Sequence, residues 1–277
     1  MPVAVTKFSQ KVNELNASVC ELGKIIEGDS GLTCELLWHV NSSALGLSQK
    51  ASSATQAIGF LGIRESQLFL STKAIQRAMR GRESKLINIR DFWNTNMERA
   101  ILARVVAGLL GAETETTFTA GMLQDFLLPA LTNDLFAKYL DFTKPEFDES
   151  VSLVQYEKKN LGWDHAEAAA RVMFIWGFPD ELICCALLHH HGLKLLADRQ
   201  LGRTSAPAVA VSALMLDAMR QVPNGLAQLV HLSEKWPTFD LLKIAETVDQ
   251  EFREISPGTS NPFAFQRRCE KMLAGAR

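Results

Sequence analysis

Apolar residues recur at steps of three and four along almost the whole chain, and strict alternation is found nowhere. Val12, Leu15, Val19, Leu22 and Ile25 form one such stripe, which ends near Gly28 and Asp29. Leu68, Thr72, Ile75 and Met79 form a second that runs up to Gly81. Met97, Ile101, Val105 and Leu109 form a third, stopped by Gly111. Such steps put residues on one face of a helix, whereas a strand face needs steps of two. The chain therefore reads as all-α.

Local punctuation agrees. Ser53 and Gln56 have the spacing of a capping box, and Gly62 suits the residue that stops the helix they begin. Asp164 and Glu167 form an acidic version of the same box. Pro179 and Pro207 sit where a first-turn proline would, and Pro223, Pro237 and Pro257 punctuate the last third. The polar, basic segment Gly81–Asp91 is the best boundary, and Asp141–Glu149 a weaker one. Two packed helical lobes are expected, residues 1–85 and 90–277.

Composition excludes several classes. At 277 residues, with 47% hydrophobic and 22% charged side chains, the chain can build a substantial core. No apolar run reaches the roughly 18 residues of a membrane helix. The start lacks the apolar core of a signal peptide, so a cytoplasmic location is expected. Five cysteines, Cys20, Cys34, Cys184, Cys185 and Cys269, lack metal-site spacing and read as buried free thiols.

Residues 1–90 carry 11 Lys and Arg against 7 Asp and Glu, and the remainder carries 18 against 24. Lys73, Arg77 and Arg80 share a helix face, in a stretch that continues through Arg82, Lys85 and Arg90. That face could meet a phosphate backbone, but a solvated helix face is the plainer reading. The five tryptophans, Trp38, Trp93, Trp163, Trp176 and Trp236, are too scattered for a base-stacking platform. No phosphate loop and no nucleophile elbow is present. His39, on a short apolar helix, reads as a core or interface residue.

Three of the six histidines are consecutive, His189, His190 and His191. Successive helical residues diverge by about 100°, so the three cannot all face one ion. His190 continues the stripe of Ile183, Ala186 and Leu187 and is the one expected to point inward. Histidines at a helix end can also bond its last free carbonyls.

Specific wording adds to periodicity. Val40-Asn41-Ser42, Gly46-Leu47, Ser53, Gln56-Ala57-Ile58 and Leu61-Gly62 come first. Phe92-Trp93, Ala120 to Asp125, Asp164 to Glu167, Trp176 to Leu182 and Ala186 to His191 follow. Their order, over about residues 10–220, resembles the HDOD family, the HD-related output domain of bacterial signalling proteins. The resemblance implies that the C-terminal lobe is like an HD-domain phosphohydrolase core. In active HD enzymes a first His, a His-Asp pair and a later Asp hold divalent metal, which activates water and shields phosphate.

Against that pattern, Thr95 stands at the first His and Gln124 at the His of the pair. Asp125 keeps the acid, and Asp217 matches the late Asp. Leu127-Leu128 replaces the Gly-Lys of the related HD-GYP phosphodiesterases, and no GYP segment follows. His165, His190 and His191 match the extra metal-binding histidines of those enzymes. The resemblance thus implies a remnant pocket of Asp125, His165, His190, His191 and Asp217. No cofactor is expected, with a divalent Fe, Mn or Zn ion in that pocket as the alternative. The function expected is a non-catalytic signal-transduction module that works through protein–protein contact. The alternative is a divergent metal-dependent phosphohydrolase acting on nucleotides or cyclic dinucleotides. Expected partners are signalling or regulatory proteins, or a second copy of the chain, rather than a membrane or a nucleic acid.

Overall fold

A computed structural model describes residues 3–14, 16–41, 50–79, 84–144, 146–255 and 264–275. Leu15, Ser42, Gly46, Leu47, Arg80, Gly81, Arg82 and Pro257, singled out above, lie outside them. Helices are the regular structure of the described residues, with no strand among them. The chain divides into two compact units. One comprises residues 1–81 with 173–178, and the other residues 82–172 with 179–277.

The first unit holds α1 (Val3–Val12), α2 (Val19–Glu27), α3 (Ser30–Val40), α4 (Ala54–Leu61) and α5 (Ile63–Met79). The stripe from Val12 to Ile25 predicts one helix, but two are found. Ser18 begins α2 with a full capping box to Glu21, because a serine side chain there satisfies free N–H groups that a continuous helix would not leave. Phe8, Leu22, Ile26, Leu32, Leu36, Val40 and Ile58 build the core. Gln56 donates its N–H to Ser53 as expected, but its side-chain oxygen accepts from Ser52 rather than Ser53. The Asn41 amide explains its place in the signature: it donates to the Ala51 carbonyl at 2.9 Å and accepts from the Ala51 N–H at 2.7 Å. These two bonds close the connection between α3 and α4.

Arg77 departs from a solvated basic face. It pairs with Asp29 at 3.2 Å and Glu35 at 3.0 Å. Lys73 lies over the Phe69 ring, and His39 stacks on that ring at 4.3 Å. The surface offered to a phosphate backbone is correspondingly reduced.

The second unit is organised on α6 (Ile89–Leu110), capped by the Asn88 side chain and ended by Gly111 in the left-handed conformation. α7 (Thr114–Leu123) packs closely along it, as the near contact of Gly121 with Ala100 shows: a Cβ on Gly121 would lie 2.8 Å from the Ala100 Cα. α8 (Leu128–Asp134), α9 (Phe136–Leu140) and α10 (Leu153–Leu161) follow. α11 (His165–Ile175) carries the chain out of this unit, and α12 (Asp180–Leu188) lies within it. A 3-10 segment, His189–Ala197, leads to α13 (Ser205–Ser212), α14 (Gly225–Lys235), α15 (Leu241–Ile255) and α16 (Phe265–Gly275). Leu102, Val106, Val211, Leu229, Phe239, Val248 and Phe252 fill its main core. The Asp164–Glu167 box is present as expected, with the Glu167 N–H donating to Asp164 at 2.8 Å.

Three cysteines, Cys20, Cys34 and Cys184, are exposed, contrary to the reading of buried thiols; Cys185 and Cys269 are buried. Adjacent residues on a helix face different ways, which separates Cys184 from Cys185. No described helix is long and apolar enough to cross a membrane.

Candidate metal centre

Asp125 follows the end of α7 and is buried against α6. Its Oδ2 accepts from the Arg99 guanidinium at 2.5 Å and from the Gln221 amide at 3.0 Å. Arg99 is 1% exposed and also donates to Asp217 at 3.1 Å and to the Met215 carbonyl at 2.9 Å. A single guanidinium therefore joins the two carboxylates that match an HD pattern. Thr95, Asn96, Arg99 and Asp217 line a cavity of only about 20 Å³, room for about one water. The Gln124 side chain turns back to donate to the Gly121 carbonyl.

The other oxygen of Asp125 meets histidines. Oδ1 lies 3.3 Å from Nε2 of His165 and 3.2 Å from Nε2 of His189. His190 Nε2 is 2.8 Å from His165 Nε2. Asp125, His165, His189 and His190 each bring one ligand atom to a cluster no wider than 4.8 Å. Four atoms around a tetrahedral ion with bonds of about 2.0–2.1 Å would be roughly 3.3 Å apart, so the group fits a transition metal after small adjustments.

The outer contacts fix the rings. His165 Nδ1 faces a Glu157 oxygen at 2.7 Å, and the His165 backbone N–H donates to the same oxygen. The other Glu157 oxygen accepts from the Tyr139 hydroxyl at 2.6 Å. A carboxylate behind a histidine is a usual support for a metal ligand. Burial alone would lower the His165 pKa, but Glu157 and Asp125 outweigh it and lift it to about 10. Burial and the neighbouring His189 and His165 hold His190 well below the usual histidine range. Burial opposes ionisation of Asp125, yet His165, His189 and Arg99 hold its pKa well below the ordinary carboxylate value.

Of the five residues the sequence nominates, the structure gathers Asp125, His165 and His190. Asp217 is tied to Arg99 instead, and His191 is exposed and outside the cluster. His189 takes the place given to His191. The reason is the end of α12 at Leu188, after which the chain tightens to 3-10 geometry. The rings of His189 and His190 lie 3.9 Å apart, and His189 Nδ1 bonds the Ala186 carbonyl at 2.7 Å. That carbonyl is one of the acceptors left over where an α-helix ends. Arg99, Glu157 and Gln221 were not singled out in the sequence. Nothing in the spacing marks Arg99, because Asn96 and Glu98 beside it on α6 are polar and buried as well.

A second cavity, of about 550 Å³, opens on the other side. It is lined by His189, His190, His191, Lys194, Gln221 and Gln228 among others.

Comparisons with known proteins give the family and the fold. The sequence profile of the HDOD domain matches residues 1–192, and the chain belongs to the HDOD family. An HDOD domain protein of unknown function from Geobacter sulfurreducens has a similar structure, with TM-score 0.57 and 16% identity. The match covers 100% of this chain and 89% of that one. A phosphohydrolase candidate from Shewanella amazonensis SB2B matches with TM-score 0.59 and 19% identity, over 98% and 90% of the two chains. A candidate signal transduction protein from Marinobacter aquaeolei VT8 matches with TM-score 0.56 and 19% identity, over 99% of this chain and 58% of that one. These likenesses establish the fold. No curated protein sequence matches the chain.

Proposed function

We propose that the chain is a non-catalytic regulatory module of the HDOD type, which works in a bacterial cytoplasm by docking signalling or regulatory proteins. The observation that carries this reading is Arg99. Its guanidinium bridges Asp125 and Asp217, the two carboxylates that would flank the catalytic cation of an HD enzyme. A guanidinium supplies positive charge but no open coordination position, so it cannot lower the pKa of a bound water as a metal ion does. The small cavity beside it leaves no room for a phosphate ester, and neither Thr95 nor Gln124 replaces the imidazoles.

The phosphohydrolase reading keeps one supporting observation, the histidine cluster that borders the larger polar cavity. Any metal bound there would be held by Asp125, His165, His189 and His190, and would supply Lewis acidity. Lys194 lines that cavity and could offset phosphate charge.

The test pairs turnover with docking. The chain, supplied with Mn, Fe(II) or Zn, is expected to hydrolyse neither nucleotides nor cyclic dinucleotides above the level of Asp125→Asn. Native-level tagging and crosslinking are expected to recover a protein whose complex reforms from purified components. Turnover that Asp125→Asn abolishes, or the lack of any such complex, would overturn the proposal.

A further inference from the structure

We infer that the chain binds one divalent transition-metal ion through Nε2 of His165, His189 and His190 and Oδ1 of Asp125, with Arg99 excluding a second ion. The inference concerns metal occupancy alone and does not depend on whether the protein turns over a substrate.

Hydrogen-bond logic carries it. The Ala186 carbonyl can only accept, so His189 Nδ1 must carry the hydrogen of their 2.7 Å bond. In the neutral ring, Nε2 is then a bare lone pair. It faces Asp125 Oδ1, also an acceptor, at 3.2 Å, and neither atom has a hydrogen-bond partner. Both side chains are at most 1% exposed. Two acceptors buried face to face are unfavourable, and a shared cation resolves the conflict. Glu157 holds the Nδ1 side of His165, so Nε2 of that ring turns to Asp125 and His190.

The two sides of Asp125 have different tasks. Oδ2 is occupied by Arg99 and Gln221, while Oδ1 looks only to imidazoles. The guanidinium and the Gln221 amide occupy the Oδ2 side of Asp125, so a second cation would have to displace a buried positive charge to use that oxygen. Three imidazoles and one carboxylate suit Zn, Fe(II) or Co(II). The cavity bordered by His189 and His190 gives an ion a route in, and a bound ion would pin the start of α11 to the end of α12.

The experiment uses untagged full-length protein, stripped with chelator and titrated with Zn(II) and Co(II). Calorimetry is expected to show one equivalent. The Co(II) complex is expected to absorb strongly in the visible range, as low-coordinate sites do. His189→Ala is expected to weaken binding at least 100-fold, and His191→Ala to leave it within twofold. If His189→Ala does not fold, His190→Gln, at a half-buried position, is expected to weaken binding at least tenfold and to change the Co(II) spectrum. No saturable binding would overturn the inference. So would two equivalents, unchanged affinity in the His189 or His190 variant, or a loss in His191→Ala equal to that in His189→Ala. These readouts count ions, so their failure is distinguishable from the appearance of turnover in the assay above.

Discussion

The Arg99 guanidinium and the Asp125 carboxylate meet at 2.5 Å with both side chains essentially removed from solvent. Asp217 completes the arrangement at 3.1 Å. Burying ions costs several kcal/mol each, so such a group persists only when its charges are paired and hydrogen-bonded. Here the carboxylates of an HD-like frame keep their positions because a side chain from α6 supplies the charge between them.

Removing that charge while keeping the volume is expected to be severe. Arg99→Met should lose about 3–5 kcal/mol, the usual cost of breaking a buried pair from one side. Arg99→Met with Asp125→Asn should lose less than the sum of the two single variants, because they share one interaction. Urea denaturation of the four proteins checks this. Additive losses would show that the pair does not act as a unit.

Gly121 and Gly108 are expected to respond oppositely to alanine. At Gly121 the added Cβ would lie 2.8 Å from the Ala100 backbone, so α7 must move from α6. Overpacking of this kind costs about 1–3 kcal/mol. Gly108 lies in α6 with open space around it. There alanine should stabilise by up to about 1 kcal/mol through helix propensity. Parallel thermal melts of the two variants decide it.

These positions show how much could be read in advance. The helical stripes, the Asp164 box and the stop at Gly111 are local, so sequence spacing carries them. The break before Val19 was missed because an apolar stripe can span two helices that share a core, whereas Ser18 and Glu21 act only on the backbone. Asp125, His165 and His190 were legible through the resemblance. His189 was not, because the point where α12 gives way to 3-10 geometry decides which histidines converge, and no residue between Leu188 and His191 announces it. Arg99 is 26 residues from Asp125 and 118 from Asp217, so only the packing of α7 and the segment after α13 on α6 reveals its role.

Asp29 in the first unit gives a pH prediction. The Leu32 N–H and then the Arg77 guanidinium hold its pKa below 3.8. A carboxyl lowered in the folded state stabilises above its unfolded pKa, and that contribution is lost as pH falls through the folded value. Asp29→Ala should cost about 1 kcal/mol at pH 7, mostly as the lost helix cap. The difference from wild type should shrink below pH 4. Asp29→Asn keeps a good capping residue but loses the charge, so it should fall between the two at pH 7. Urea midpoints at pH 7 and pH 3 test the order, and equal penalties at both would refute the ionised role.

Glu157 allows structure and metal support to be separated at one carboxylate. It accepts from the Tyr139 hydroxyl at 2.6 Å on one oxygen and from the His165 N–H and ring on the other. Burial and then Glu157 push the Tyr139 phenol far above its ordinary pKa, so it remains a donor. Tyr139→Phe removes that donor without opening a cavity and should cost about 1.5–3 kcal/mol, the worth of a hydrogen bond to a charged group. It leaves the His165 side intact, so metal affinity should change little. Glu157→Gln keeps the shape but removes the charge behind His165. Loss of such a partner weakens metal affinity by about 10–100-fold. Co(II) titration and urea denaturation of both variants separate the effects. Tyr139→Phe should change stability while sparing affinity, and Glu157→Gln should change affinity. If the two variants bind Co(II) equally well, the carboxylate does not support His165 as a ligand.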